Sequence, residues 1–380
     1  LLCAARTSCA QRVPRTREHH VASTAIQLTQ YAAARTVAAL FSPFDPEQNL
    51  ATARLVGSIY ARLGAKRRAR AVSNVRRALP HLSADTQWNL VDASIGHMFG
   101  IFMVDAFSMP RVVGHENWHE RVRLGNVGRA MEHLTSPKPC LFVTGHIGNW
   151  EILGYVLALV GFRMSALARP LDNRFLNDWL LGVRQRTGLR VVTKWGATDE
   201  VQKIIESGGK VGFIADQNAG NDGLFVPFFS RLASTYKSIP LLALRYEIPI
   251  VCGYARRVDG QFRYELRVTD VIEPADWKDA DDAVLYIGAR YNRAIEAMIR
   301  ESPEQYVWVH RRWNSRPKHE REGTEMPARM LRKLEALPWM TPGLLSELVK
   351  PIDAPAEPSS LLTTIDGKPV ATALDPRYRA

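Results

Sequence analysis

The chain has 380 residues, of which 46% are hydrophobic and 23% charged, a composition typical of a globular protein. It excludes a collagen-like, a disulfide-scaffold or a wholly disordered chain, and the four cysteines contain no C-x-x-C pair that would predict a structural zinc site. The 50 Lys and Arg residues outnumber the 38 Asp and Glu residues, and the net charge of +12 favours an anionic partner: nucleic acid, an anionic membrane or a phosphorylated substrate.

The first third of the chain is predicted to be helical. Residues 1–24 are basic and lack the apolar segment of a secretory signal, which predicts a disordered lead-in. Hydrophobic spacing then predicts helices over residues 25–42, 51–63, 66–79 and 85–108. No run of about 18–20 purely apolar residues is present. We interpret residues 25–110 as a membrane-associating region, although residues 25–42 fit a core-facing helix equally well, and the six cations of residues 66–77 also fit a solvated helix face.

Residues 111–320 alternate short β-rich runs with helical stretches. Strands are predicted at 141–144, 164–168, 189–193 and 211–215, with helices at 149–160, 173–187 and 198–207 between and after them. Further strands at 250–255 and 262–268 precede a helix at 280–300. This alternation predicts an α/β core in which helices flank a mostly parallel central sheet, with the active site at the carboxyl ends of its strands. Residues 321–380 predict a C-terminal extension, with a helix or two over 327–350 and a partly disordered tail.

The sharpest motif is TGHIGNWE, residues 144–151, which follows a predicted strand and opens a predicted helix. Five steps along a regular helix rotate about 140°, so His146 and Glu151 meet only if His146 lies in the turn and Glu151 in the first helical turn. Such a pair suits catalysis: neutral His146 takes a proton from an attacking hydroxyl, while Glu151 holds the ring and stabilises the imidazolium. The alternative is a helix-capping turn with a structurally bonded histidine.

Two other polar motifs follow predicted strands. Arg169, in ARPLDN, is placed either to bind a phosphate or carboxylate or to form a surface salt bridge. Asp216, in ADQNAG, either orients Arg169 or a substrate hydroxyl or simply forms a turn. The apolar run FVPFF, residues 225–229, fits the wall of an acyl-chain groove or a core strand.

The sequence contains neither a G-x-S-x-G nucleophile motif nor an H-E-x-x-H zinc motif. Cys140 lies inside a predicted strand and is expected to be buried rather than reactive. A His–Glu pair without a protein nucleophile implies that a substrate hydroxyl attacks an activated acyl group directly. We therefore predict neither a metal ion nor a cofactor.

Four motifs, in this order and spacing, resemble the bacterial lipid A biosynthesis (lauroyl/myristoyl-type) acyltransferases of the lysophospholipid acyltransferase-like superfamily: GHIGNWE, ARPLDNRFLNDWLLGVRQRTG, DQNAG…GLFVPFF and EQYVWVHRRWNSRP. The resemblance implies an enzyme on the cytoplasmic face of the inner membrane, held by a single N-terminal anchor or peripherally. Such an enzyme transfers a fatty acyl chain from acyl carrier protein to a hydroxyl of a phosphorylated glycolipid. Carried over by position, the resemblance implies His146 as general base with Glu151 as its partner. It also implies substrate-binding roles for Asn149, Arg169, Asp216, Arg311 and Arg312.

Other functions remain open at the level of the sequence. The same chemistry fits acyl-CoA-dependent acylation of another polar lipid, such as a phosphoinositol mannoside, because acceptor choice depends on the shape of the pocket. The basic clusters and amphipathic helices fit a non-catalytic protein that binds an anionic membrane surface. A soluble esterase is disfavoured because the nucleophile motif is absent. Nucleic acid is disfavoured as a partner because no RNA-binding aromatic signature, zinc finger or clear helix-turn-helix is found.

Overall fold

The computed structural model describes residues 23–193 and 197–352, together with two short strands near the C-terminus. Residues 1–22 of the predicted lead-in and most of the predicted tail lie outside the described residues. The N-terminal third is helical, as predicted. Its helices are Thr24–Phe41 (α1), Pro46–Leu63 (α2), Ala65–Ala78 (α3), Ala84–Gly100 (α4) and Ala106–Val112 (α5), with a π-helical turn, Ile101–Asp105, between α4 and α5.

Helices and strands alternate along the rest of the chain. The helices are Trp118–Arg121 (α6), Gly128–Thr135 (α7), Trp150–Leu159 (α8), Arg174–Gln185 (α9), Ala197–Glu206 (α10), Ser238–Tyr246 (α11), Ala283–Glu301 (α12), Lys318–Glu322 (α13), Ala328–Glu335 (α14) and Pro342–Leu348 (α15). The strands are Val122–Leu124 (β1), Cys140–Thr144 (β2), Met164–Ala168 (β3), Arg190–Thr193 (β4), Lys210–Ile214 (β5), Leu224–Phe228 (β6), Arg231–Thr235 (β7), Ile250–Arg257 (β8), Tyr264–Ile272 (β9), Thr364–Ile365 (β10) and Lys368–Pro369 (β11).

The N-terminal helices pack on one another through a close glycine contact. A Cβ added to Gly57 of α2 would lie 2.9 Å from Cα of Gly96 in α4, so the two helices approach backbone to backbone. Helix α4 begins after Ser83, whose hydroxyl accepts the N–H of Thr86 at 3.2 Å. The π-helical turn then carries this helix on into α5, and its last residue, Asp105, is fully buried.

Seven strands form one mixed sheet in the order β1-β9-β8-β2-β5-β3-β4. The five strands from β8 to β4 are parallel to one another. Strand β9 pairs with β8 in the antiparallel sense, and β1 runs parallel to β9. The prediction of a mostly parallel central sheet flanked by helices is therefore confirmed, with the added finding that one edge of the sheet reverses direction.

Apolar side chains cover both faces of the sheet, as its parallel strands require. On one face α3, α4 and α12 bury residues such as Val75, Leu90 and Ile295. On the other face α8 buries Ile152 and Val156 against the sheet. The FVPFF run belongs to the core, since Phe228 and Phe229 are buried with the residues of the α3, α4 and α12 face. It contributes most of β6, which pairs with β7 in a hairpin beside α12 and is buried at its end, so the core-strand alternative is the correct one.

Candidate active site

The candidate site lies where β2 and β5 end, at the carboxyl edge of the sheet. Thr144 pairs with Ile214 in the register of these strands, so His146 and Asp216 each follow two residues beyond the paired ends. The turn after β2 requires glycine at position 148, which has a φ of 59° and where a Cβ would lie 2.0 Å from the carbonyl oxygen of Ala255. The turn therefore rests directly on the backbone of β8.

His146 is held by Asp216. Its Nδ1 lies 2.7 Å from Oδ1 of Asp216, whose side chain is fully buried, whereas the histidine side chain keeps 18% of its surface exposed. Burial alone would raise the pKa of the Asp216 carboxyl, but the neighbouring His146 and His310 together lower it more, and this pKa lies well below its usual range. A carboxylate at Nδ1 makes that nitrogen the protonated one, so Nε2 carries the lone pair that can accept a proton.

The structure corrects the partner predicted for His146. Glu151 does lie in the first turn of α8, but its carboxylate binds Arg184 of α9, with Nη2 at 2.6 Å from Oε1 and Nε at 2.8 Å from Oε2. The indole N–H of Trp150 also donates to Glu151, at 3.1 Å. Glu151 points away from His146 because it accepts a bidentate pair of hydrogen bonds from the Arg184 guanidinium of α9. Nδ1 of His146 already contacts Asp216, which follows β5.

Asn149 does not offer its side chain to a substrate, contrary to the prediction. It is fully buried as the N-cap of α8, and its Oδ1 accepts the N–H groups of Glu151 and Ile152, both at 3.0 Å. Its Nδ2 donates to the buried Asp105 at 2.7 Å, and Asp105 also forms an ion pair with Arg257. Asn149 thus connects the π-helical turn to the start of the helix that carries Glu151.

Two of the three predicted substrate-binding arginines lie on the surface. Arg169 is 66% exposed, faces Asp172 at 3.6 Å and does not meet Asp216, so its salt-bridge alternative is the one seen. Arg311 is exposed. The third, Arg312, is 1% exposed and donates to Thr235 Oγ1 at 2.9 Å and Asn292 Oδ1 at 3.0 Å. The guanidinium of Arg312 is therefore committed to groups of the core and is not presented at the surface, where a phosphate contact was expected.

Two polar residues missed by the sequence reasoning complete the surroundings of His146. The ring of His310 lies against that of His146, with 4.6 Å between the ring centroids. The amide nitrogen of Gln217 lies 3.2 Å from Nδ1 of His310 and 3.5 Å from Nε2 of His146. Burial and the neighbouring His146 lower the pKa of His310 to about 4. The only sequence signal was position, because Gln217, His310 and also Arg184 lie inside the motifs quoted above.

An apolar cavity of about 130 Å³ opens beside this polar cluster. It lies between α8 and the sheet, and its floor is formed by residues of the central strands such as Phe142, Ala166 and Gly212. Trp150 and the Glu151–Arg184 pair belong to its lining. The cavity thus lies beside the helix that starts just after His146, and its hydrocarbon lining is the arrangement expected of a site for a ligand with an apolar tail.

A second, polar cleft of about 890 Å³ lies behind the turn that carries His146, between α2, α4 and the end of β8. His97, in its lining, has Nε2 3.0 Å from the carbonyl oxygen of Gly148. Burial, reinforced by Arg257, lowers the pKa of His97 to about 3, so this histidine is a neutral donor to the turn at physiological pH.

The family-model comparison decides the identity of the chain. The model for the bacterial lipid A biosynthesis acyltransferases matches residues 20–315. The chain belongs to this family. A lipid A biosynthesis acyltransferase of Haemophilus influenzae is 21% identical over 250 residues, which cover 64% of this chain and 74% of the relative. A lipid A biosynthesis palmitoleoyltransferase of Escherichia coli is 29% identical over 206 residues, 53% of this chain and 63% of the relative.

Among solved structures, the 1-acyl-sn-glycerophosphate acyltransferase of Thermotoga maritima matches 65% of this acyltransferase and 96% of its own chain, at 12% identity and a TM-score of 0.31. The family match confirms the resemblance that the four sequence motifs indicated and the expectation that the chain is an O-acyltransferase. Acyl transfer is thus the chemistry of this family of enzymes.

One helix of the described residues, Ala84–Val112, is long and apolar enough to cross a membrane by length and composition. This helix comprises α4, the π-helical turn and α5. Of its most apolar stretch of 18 residues, 56% is buried inside the protein, as in the core helix of a folded domain. Within the part of the chain that the structure describes, no group of three or more His, Cys, Asp or Glu side chains is arranged to hold a metal ion.

Proposed function

We propose that this acyltransferase moves a fatty acyl chain from acyl carrier protein to a hydroxyl of a phosphorylated lipid A precursor, with His146 as the general base. The observation that carries the proposal is the 2.7 Å contact between Nδ1 of His146 and the buried carboxylate of Asp216. That contact orients the ring, leaves the lone pair on Nε2 and stabilises the imidazolium that forms when Nε2 takes a proton.

The proposed reaction is a single displacement. The acceptor hydroxyl gives its proton to Nε2 of His146 as its oxygen attacks the thioester carbonyl carbon. The tetrahedral intermediate then collapses, the carbon–sulfur bond breaks, and the leaving thiolate recovers the proton from the imidazolium. Positioned general-base catalysis of this kind contributes about 10²–10⁴ in rate.

A covalent acyl-enzyme on cysteine is disfavoured by the chemistry of the two described thiols. Cys140 and Cys252 are both buried. Burial raises the pKa of Cys140 to about 12 and that of Cys252 well above its usual value. Because the thiolate is the nucleophilic form, neither residue supplies a nucleophile at neutral pH. This supports direct attack by the acceptor hydroxyl.

The apolar cavity is the proposed site of the acyl chain. Its lining is mostly hydrocarbon, and the Glu151–Arg184 ion pair is among its few polar groups. In this proposal the pair fixes α9 against α8 and so keeps this part of the cavity lining at a constant distance from the turn that carries His146. Glu151 then supports catalysis by shaping the site rather than by holding the imidazole.

The proposed location is the cytoplasmic face of the inner membrane. Leu55, Ile59 and Leu63 of α2 recur every four residues, which places them on one helix face, and they are between 49% and 82% exposed. The exposed cations Lys66 and Arg67 follow directly in α3. Aliphatic side chains next to cations suit the boundary between acyl chains and anionic headgroups. Three aliphatic residues of α1 are exposed as well: Ile26, Leu28 and Leu40.

Acyl-transfer assays test the reaction. Purified protein is incubated with a radiolabelled acyl chain, carried either by acyl carrier protein or by CoA. The acceptor is either a lipid A precursor or a phosphoinositol mannoside. We expect acyl transfer from the carrier protein to the lipid A precursor, and a loss of about 10² or more in kcat for His146→Gln. Near-normal transfer by His146→Gln would refute the general-base role. Preferred transfer from CoA, or to the mannoside, would correct the donor or the acceptor while leaving the chemistry in place.

Liposome sedimentation tests the membrane surface. The substitution Leu63→Glu is expected to weaken binding to anionic vesicles, because it places a carboxylate where an exposed leucine meets the bilayer. Leu124→Glu is the matched control, since Leu124 is also exposed, at 47%, but lies on β1. Equal binding by the two variants would contradict the assignment of α2 to the membrane.

A further inference from the structure

The segment that carries His310 is fastened to the catalytic turn through its backbone. The N–H of Val307 donates to the carbonyl oxygen of His146 at 3.0 Å, and the N–H of Gly148 donates to that of Gln305 at 3.1 Å. From the other side, Asn74 of α3 donates to the carbonyl oxygen of His310 at 2.8 Å. These hydrogen bonds hold the backbone at residues 305–307 and at His310 itself. The fold therefore sets the position of the His310 ring against the His146 ring.

The hydrogen bonds assign the proton of His310. The amide nitrogen of Gln217 is a donor only, and it lies 3.2 Å from Nδ1 of His310. Nδ1 of His310 is therefore the acceptor, and the neutral ring carries its proton on Nε2. Burial, His146 and Arg70 act to lower the pKa of His310, against an opposing effect of Asp216, and the result of about 4 keeps the ring neutral at physiological pH.

The Nε2–H of His310 has no hydrogen-bond partner among the described residues. The second N–H of the Gln217 amide faces Nε2 of His146 at 3.5 Å, the limit of a hydrogen bond. An acceptor hydroxyl that binds Nε2 would displace this weak contact and leave the N–H available. The Gln217 amide thus lies next to the atom that takes the proton, and the neutral His310 ring lies against the His146 ring, with 4.6 Å between the ring centroids. The thioester carbonyl must also lie close to Nε2 of His146. The attacking oxygen is hydrogen-bonded to this nitrogen at the moment when it forms its bond to the carbonyl carbon.

We propose that Nε2–H of His310 and the side-chain amide of Gln217 donate hydrogen bonds to the thioester carbonyl oxygen as it becomes an oxyanion. The inference rests on the proposed role of His146 as base. As the acceptor oxygen attacks, its proton moves to Nε2 of His146 and the carbonyl π electrons move onto the carbonyl oxygen. The two donors stabilise that charge until the carbon–sulfur bond breaks and the thiolate takes the proton back. Neutral donors suit this task because a second cation beside His146 would oppose its protonation.

The matched pair His310→Phe and His310→Gln tests the proposal. Phenylalanine keeps a ring against His146 but has no donor, whereas glutamine restores an N–H. We expect His310→Phe to lower kcat by about 10²–10³, with KM for both substrates nearly unchanged and with the same acidic limb in the pH profile of kcat/KM. We expect His310→Gln to recover at least about tenfold of that loss. His115→Phe, at an exposed histidine remote in sequence, is the control and is expected to behave as the wild type.

Three results would overturn the inference. One is His310→Phe with kcat close to that of the wild type. Another is a loss in His310→Phe that appears wholly as a displaced acidic limb, which would mean that His310 acts through His146. The third is normal turnover by a folded Gln217→Met variant. This substitution removes the second donor, and it remains informative if the His310 variants fail to fold. An inactive His146→Gln together with an active His310→Phe refutes only this inference, whereas an active His146→Gln refutes the base itself.

Discussion

The substitution Asp216→Asn tests where the basicity of His146 originates. Asparagine keeps the shape of a side chain that is fully buried, but removes the negative charge 2.7 Å from Nδ1 of His146. In the proposed mechanism this carboxylate faces a neutral ring before proton transfer and an imidazolium only after it. The loss of the charge is therefore expected to lower kcat and to leave KM for both substrates nearly unchanged.

The size of the effect follows from the geometry. The charge centres of an imidazolium and a carboxylate in this contact lie roughly 4 Å apart, and two unit charges at that separation attract by about 4 kcal/mol at an effective dielectric constant of 20. At about 1.4 kcal/mol for each factor of ten, this corresponds to about 10³ in rate. The 18% exposure of the His146 side chain admits some solvent screening, so we expect a loss of about 10²–10³.

The assay is the initial rate of acyl transfer across the neutral pH range for the wild type, Asp216→Asn and Glu151→Gln. The first variant is expected to move the acidic limb of kcat/KM to lower pH, because the imidazolium has lost its partner. Glu151→Gln loosens the contact with Arg184 in the lining of the cavity. It is therefore expected to raise KM for the acyl donor and to lower Tm, with the acidic limb in place.

The opposite pattern would refute this reasoning. If Glu151→Gln displaced the acidic limb and Asp216→Asn did not, Glu151 would be the partner of His146 during turnover, as the sequence predicted. The hydrogen bond to Asp216 would then belong only to the enzyme without substrate.

Three further predictions concern the framework of the site. The free energy of unfolding should fall by up to roughly 5 kcal/mol as the pH drops from 6.5 toward 3, because His97 binds a proton near pH 6.5 when unfolded but only near pH 3 when folded; urea titrations of His97→Gln should show a weaker pH dependence. Gly212→Ala adds a methyl group to the lining of the cavity, 3.7 Å from the nearest heavy atom, and should disfavour the longest accepted acyl chain about tenfold or more per methylene in a competition assay read by mass spectrometry. Asp105→Ala leaves Arg257 buried without its partner and should cost about 3–5 kcal/mol in denaturant unfolding, whereas an equal stability would show that the ion pair contributes nothing.

The elements that the sequence predicts well are the long, periodic ones. The strands β2, β3 and β5 and the helices between them follow the expected ranges closely, because period-two and period-3.6 patterns alternate there without interruption. The short elements β1 and α7 were missed, since a few residues contain too little of either period. The reversed direction of β9 was equally hidden, because an antiparallel strand buried between two neighbours has the same apolar composition as a parallel one.

The candidate site was predicted in its residues more than in its contacts. His146 and Asp216 were both chosen because they follow strands, and the parallel register of β2 and β5 does bring them together. Glu151, only five residues from His146, was chosen as partner because sequence shows proximity along the chain but not the direction of a side chain. The same limit applies to Arg312, since a motif shows that a cation is present, whereas only packing shows that it is buried.

The burial of Asp105 has a consequence for how the molecule unfolds. This residue is supplied by the helical N-terminal third, but its partners Asn149 and Arg257 belong to the α/β core. Detaching the helices would leave a guanidinium and the cap of α8 without their counter-group in the interior of the core. We therefore expect the two parts to melt in a single cooperative transition, and we expect an isolated fragment of residues 111–320 to lose the shape of the turn around His146 before it loses its sheet.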